Sequence, residues 1–209
     1  MSALDQIAFS LGRQDEVPNQ MLAKELADHN DEEGIRIIAE HLWAKNKNIQ
    51  SDCLKVLYEL GMLKPVLVGG LYTDFLKILK LRNNRMIWGA MIALSTIADI
   101  KADELFPHID QIKSSMLEGS VITVDNGVKT LALIGSKNSV YRKEILPFLF
   151  DHLKTCRPKD VPQHAEHTSI AIDGENKKAF VSVLEERIPD LSSSGLIRIK
   201  KVIKKLAAV

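Results

Sequence analysis

MIWGAMIALSTI, residues 86–97, has three degenerate copies elsewhere in the chain: IQSDCLKVLYEL at 49–60, TVDNGVKTLALI at 123–134 and VPQHAEHTSIAI at 161–172. The copies start at Ile49, Met86, Thr123 and Val161, in steps of 37, 37 and 38 residues. A fifth starts near Gly195. Four residues into each stand Cys53, Ala90, Gly127 and Ala165; seven in, Val56, Ala93, Thr130 and Thr168; eight in, Leu57, Leu94, Leu131 and Ser169; eleven in, Leu60, Ile97, Ile134 and Ile172. Offsets 0, 4, 7, 8 and 11 lie on one face of a 3.6-residue helix, so each copy reads as a helix with a buried stripe. The small residue at the fourth offset lets a neighbouring backbone approach closely, and Ile199 departs from that rule in the fifth copy.

Working outward, a second amphipathic segment precedes each copy. Two of these segments match each other: Glu104-Leu105-Phe106-Pro107-His108-Ile109 and Glu144-Ile145-Leu146-Pro147-Phe148-Leu149. The prolines fit an early or kinking position in a first helix. Helix stops and starts fall at Asn30-Asp31, Gly61, Pro65, Asn83-Asn84, Gly119-Ser120 and Gly174. One stretch argues locally for a different structure: residues 121–128, with Asn126-Gly127 at their centre, have the composition of a β-hairpin. The unbroken 37-residue step favours helix there.

A period of this length in helix pairs marks a solenoid. The two-helix unit, its length and the small-Leu-Ile spacing resemble HEAT repeats over roughly residues 31–207. Gln50, Ile87 and Val124 stand where that family usually carries a basic residue. The resemblance implies an all-α superhelix of about five HEAT-like pairs in a single domain spanning 1–209. The repeats would cover 31–61, 65–100, 101–136, 138–174 and 175–209, with 1–30 forming a helical cap from segments 3–13 and 17–29.

Composition bounds the rest. The chain has 209 residues, 45% of them hydrophobic and 26% charged, which suits a folded core. The longest uncharged run, 86–98, is too short to span a bilayer, and no secretory signal is read at the N-terminus, so a cytoplasmic setting without membrane is expected. Cys53 and Cys156 are read as reduced, packed thiols. Net charge is +1, split −3 up to Leu105 and +4 beyond, a weak basic excess for a nucleic-acid binder.

No nucleophilic, phosphate-cradling or metal-protease motif is present in the sequence. A non-enzyme without cofactor is therefore expected. HEAT-like arrays line their concave side with second helices, and that resemblance places Tyr58, Trp88, Met91, Asp125 and Lys129 on a groove for a protein or peptide. The all-round apolar 86–98 helix reads either as core or as an apolar groove floor. His164 and His167, three apart around Glu166, share a helix face with His152 and Asp173 nearby, and a solvated polar face without metal is the expectation. Arg198, Lys200, Lys201, Lys204 and Lys205 form a basic arc on the last helix. It suits a charged outer face, or an anionic partner in the alternative reading of a nucleic-acid-binding or DNA alkylation-repair glycosylase-like protein.

Overall fold

The computed structural model describes residues 2–207, and among these all regular structure is helical. The chain divides between Gly127 and Val128 into two compact units. In the first, Ala3–Gln6 is a short 3-10 turn closed by reciprocal hydrogen bonds between Ser2 and Asp5. No helix follows over the remainder of 3–13, contrary to expectation. The reason is where the backbone donors go: the Ala8 amide donates to Asn19 Oδ1 at 2.9 Å and the Phe9 amide to Asp52 Oδ2 at 2.8 Å, and Gly12 turns the chain at φ +67°.

Helix α1 (Val17–His29) starts with a proline in its first turn and ends at Asn30, whose left-handed φ of 49° returns its amide to the Leu26 and Ala27 carbonyls. Asp31 caps α2 (Glu32–Glu40) through the Gly34 amide at 2.9 Å, and Asn46 caps α3 (Lys47–Leu63) through Asn48 at 2.9 Å. The next first-helix segment is broken into α4 (Pro65–Val68) and α5 (Tyr72–Ile78), and Asn83 caps α6 (Asn84–Ile97). A second broken pair, α7 (Ala102–Leu105) and α8 (Ile109–Leu117), is separated by the 3-10 turn that holds Pro107. Helix α9 (Val121–Gly135) then crosses the unit boundary. α1 packs on α3, and α3 on α6, so α1 takes the place that a second helix would take in a preceding pair.

The second unit holds α10 (Ser139–Thr155), α11 (Val161–Thr168), α12 (Lys177–Arg187) and α13 (Ser193–Ala207). α10 packs on α12, and α11 on α13, around Leu153, Val161, Phe180, Leu184 and Ile199, with the Phe150 ring stacked on Phe180 at 5.8 Å. Pro147 lies well inside α10, not at its start. Arg187, 7% exposed, closes the far end of α10 by donating to the Leu153 carbonyl and, at 2.9 Å, to that of Cys156.

The repeated column is the core of this arrangement. Met86, Ala90, Ala93, Leu94 and Ile97 are completely buried, as are Cys53, Val56, Leu57 and Leu60. Thr123, Thr130, Leu131 and Ile134 are also completely buried and Gly127 is buried, which explains why residues 121–135 are helical despite their strand-like composition: the stripe gains its burial only at helical period. The fourth copy is shorter than its register implies. α11 gives way to the 3-10 turn Ser169–Ala171, leaving Ser169 and Ile172 half-buried. No helix among the described residues is long and apolar enough to cross a membrane.

Candidate functional site

On α3, residues 52, 55 and 58 rise one turn at a time along one face. All three are buried: the segment before α1 covers Asp52 and Lys55, and Tyr58 packs against Trp88 and Lys55. Asp52 accepts from the Phe9 amide and, at 3.0 Å, from the Asn19 side chain. Lys55 Nζ is held by Glu16 at 2.8 Å and Glu59 at 2.6 Å and sits 4.8 Å from the Tyr58 ring centre. Burial opposes the Lys55 charge, but the hydrogen bonds that Lys55 donates to the two glutamates and to Tyr58 outweigh it and hold the ammonium well above its ordinary range. Burial likewise raises Tyr58, with Lys55 opposing.

Trp88, half-buried on α6, tilts against Tyr58 with ring centres 6.4 Å apart. The neighbouring Gly89 lets α6 come down onto Leu54: a Cβ there would meet Leu54 Cδ2 at 2.7 Å. The depression among Glu16, Leu54, Lys55, Tyr58, Arg85 and Trp88 encloses only 10 Å³, far below the several hundred a small-molecule pocket needs. What is presented is an aromatic edge on a packed floor. It lies beside a charged cleft of 440 Å³ that includes Arg13, Asp15, Glu16, Asp52 and Arg85.

Met91 is completely buried and belongs to the core, so it does not line a surface with Tyr58 and Trp88. The 86–98 stretch is therefore largely core, with Trp88 and Ile92 half-buried. On α9, Asp125 is half-buried, and the adjacent Asn126 accepts from the Ser95 hydroxyl at 3.1 Å. Lys129, also half-buried, is on the part of α9 that belongs to the second unit.

In the second unit the histidines pair differently from the sequence reading. His164 is 1% exposed, not on a solvated face, and its Nδ1 lies 3.0 Å from His152 Nε2; Asp173 is taken up by Arg142. Cys156 completes a cluster with these two rings. Burial pushes its thiol up, with Arg187 opposing, whereas Cys53, completely buried, is pushed up to about 12. His152 and Cys156 are four apart, a helical-face spacing the sequence did offer, but only the fold brings His164 to them. Sequence reading also missed a cleft of 510 Å³ lined by Arg142, Lys143, Leu146, Pro147, Phe150 and Lys154. Its signal was the apolar Leu146, Pro147 and Phe150 on a helix with cations on both sides.

The basic arc is smaller than its sequence suggests. Arg198 makes a two-pronged pair with Glu166 at 2.8 and 2.7 Å, leaving Lys200, Lys201, Lys204 and Lys205 exposed on α13.

The stacked helix pairs define the class: an armadillo/HEAT-like α-solenoid. Solved structures with this fold include an engineered protein that is 15% identical (TM-score 0.70, covering 100% of this chain and 98% of its own). A designed armadillo repeat protein in complex with the peptide (KR)4 is 13% identical (TM-score 0.68, covering 98% and 100%). Kap121p bound to Pho4p is 15% identical (TM-score 0.66), and this chain matches 23% of its length. The sequence matches no protein-family model and no curated protein.

Proposed function

We propose that this chain is a non-catalytic scaffold that binds a polypeptide against the second-helix face of its first unit, with Trp88 as anchor, Tyr58 packed against it and Asp125 as a further contact. One observation carries the reading: a large aromatic side chain stands partly exposed on a floor that is already locked, by Gly89 on Leu54 and by Lys55 between two glutamates. Preorganised aromatic anchors of this kind dominate polypeptide interfaces, because little side-chain freedom is lost on binding. The fold neighbours that hold a (KR)4 peptide and Pho4p support the same class of partner. Glu16 and Glu59 beside this face weigh against a phosphate backbone as its occupant, and thus against the nucleic-acid or glycosylase-like alternative. Reduced cysteines suit a cytoplasmic setting.

The test selects peptides from a random displayed library on the full chain and measures the enriched ones by fluorescence polarisation. Trp88→Ala is expected to weaken them at least about tenfold, a loss of about 1.4 kcal/mol, with the folded state retained by circular dichroism. Trp43→Ala, at an exposed tryptophan elsewhere, leaves them unchanged. Peptides that bind wild type and Trp88→Ala equally would overturn the reading.

A further inference from the structure

His152 and Cys156 project from one face at the C-terminal end of α10, and α11 sets the buried His164 against them. The facing nitrogens of the two rings are 3.0 Å apart, and one ligand atom from each ring and the Cys156 sulfur all lie within 4.8 Å of one another. Two imidazoles and a thiol form a borderline-soft donor set, suited to zinc and its first-row neighbours and poorly suited to calcium or magnesium. Around a tetrahedral ion, with metal–nitrogen bonds of about 2.0 Å and metal–sulfur of about 2.3 Å, such donors stand about 3.3–3.5 Å apart. Closing the cluster to a coordinating arrangement therefore needs donor shifts of at most about 1.5 Å. His152 and Cys156 are half-buried, while His164 is in the core.

The backbone at this point is secured independently of any ion. Arg187 holds the carbonyls of both Leu153 and Cys156, so the end of α10 that carries two of the donors is tied to α12. The partial exposure of His152 and Cys156 puts the cluster within reach of solvent.

We propose that His152, Cys156 and His164 form a three-donor binding site for a divalent transition metal, with zinc the best fit and the fourth position left to water or an exogenous ligand. On binding, the thiol proton leaves to solvent, one per ion. The contact between the two imidazoles opens, the proton between them moves to the other nitrogen of its ring by exchange with solvent, and His152 Nε2 and His164 Nδ1 each direct a lone pair at the metal.

The purified, chelator-treated full chain is titrated with Co²⁺, whose spectrum reports its ligands. The expected result is one ion per chain, a thiolate-to-cobalt charge-transfer band, the intense visible bands of tetrahedral cobalt, and displacement by Zn²⁺. Cys156→Ser abolishes the charge-transfer band. His152→Gln, at a half-buried position, weakens binding more than about 100-fold, since losing a direct ligand exceeds the 10- to 100-fold typical of second-sphere changes. Absence of saturable binding at micromolar ion, binding without a thiolate band, or an unchanged affinity in a folded His152→Gln variant would each overturn the proposal.

Discussion

Gly127 occupies the fourth offset of the repeated stripe, and a Cβ placed there collides with the Cγ and Sδ atoms of Met116 on α8. Two effects compete in Gly127→Ala. Helix propensity favours alanine by about 1 kcal/mol, whereas overpacking a buried contact costs about 1–3 kcal/mol. Because the clash involves Cγ and not just the mobile end of Met116, packing wins, and a net loss of about 1 kcal/mol is expected in the urea midpoint with an unchanged slope. Combining it with Met116→Ala should return less than the sum of the two single losses, as expected for residues in contact. Lys55 makes a different prediction at the same scale. Lys55→Met leaves Glu16 and Glu59 without their shared cation and is expected to lose about 1–2 kcal/mol at neutral pH. The lysine's folded-state pKa is raised, so its contribution is fully present below about pH 10 and is lost as pH climbs through the folded value. Wild type and variant should therefore converge in stability in strongly alkaline buffer, and a difference that stays constant with pH would refute the assignment.

At the scale of elements, α11 and α13 are joined by the Glu166–Arg198 pair. Arg198 holds the Glu166 carboxyl below its usual range, chiefly through their hydrogen bonds. A lowered folded-state pKa stabilises above the unfolded value and stops doing so as pH falls through the folded one. Both side chains are about two-fifths exposed, so Glu166→Gln is expected to lose only about 0.5 kcal/mol at neutral pH, shrinking towards zero in acid, in urea melts at the two pH values. That pair was not readable in the sequence, although α13 itself was, and the difference is physical. Periodicity reports which face of a helix is buried, so α3, α6, α9 and the small Gly127 contact were legible from spacing alone. It does not report which distant polar group meets which. The N-terminal segment failed as a helix because its amides go to Asn19 and Asp52 through the fold, and His164 finds His152 instead of its sequence neighbour His167 for the same reason. Of the groove residues, Trp88 kept an exposed edge, whereas Met91, three residues on, turned inward; a helix apolar on every side gives no sequence cue to that choice.

For the whole molecule, the decisive property is how little charge it has to spend on an anionic polymer. Net charge is +1, and the basic arc of α13 is reduced to four exposed lysines, because Arg198 is already paired. Each phosphate contact steepens the logarithmic dependence of affinity on salt by about 0.9, so four contacts bound the slope at about −3.6. Sequence-independent binding of that kind is expected at the weak end of the usual range, about 100 µM at physiological ionic strength. A fluorescent duplex, a single strand and an RNA hairpin titrated across salt concentrations measure it directly. Submicromolar binding at physiological salt with a slope steeper than about −5 would require basic contacts well beyond α13, and would shift the functional reading from polypeptide to nucleic acid. Weak binding that Lys201→Glu and Lys205→Glu remove together, with peptide affinity at Trp88 untouched, would instead confine the basic helix to nonspecific surface charge.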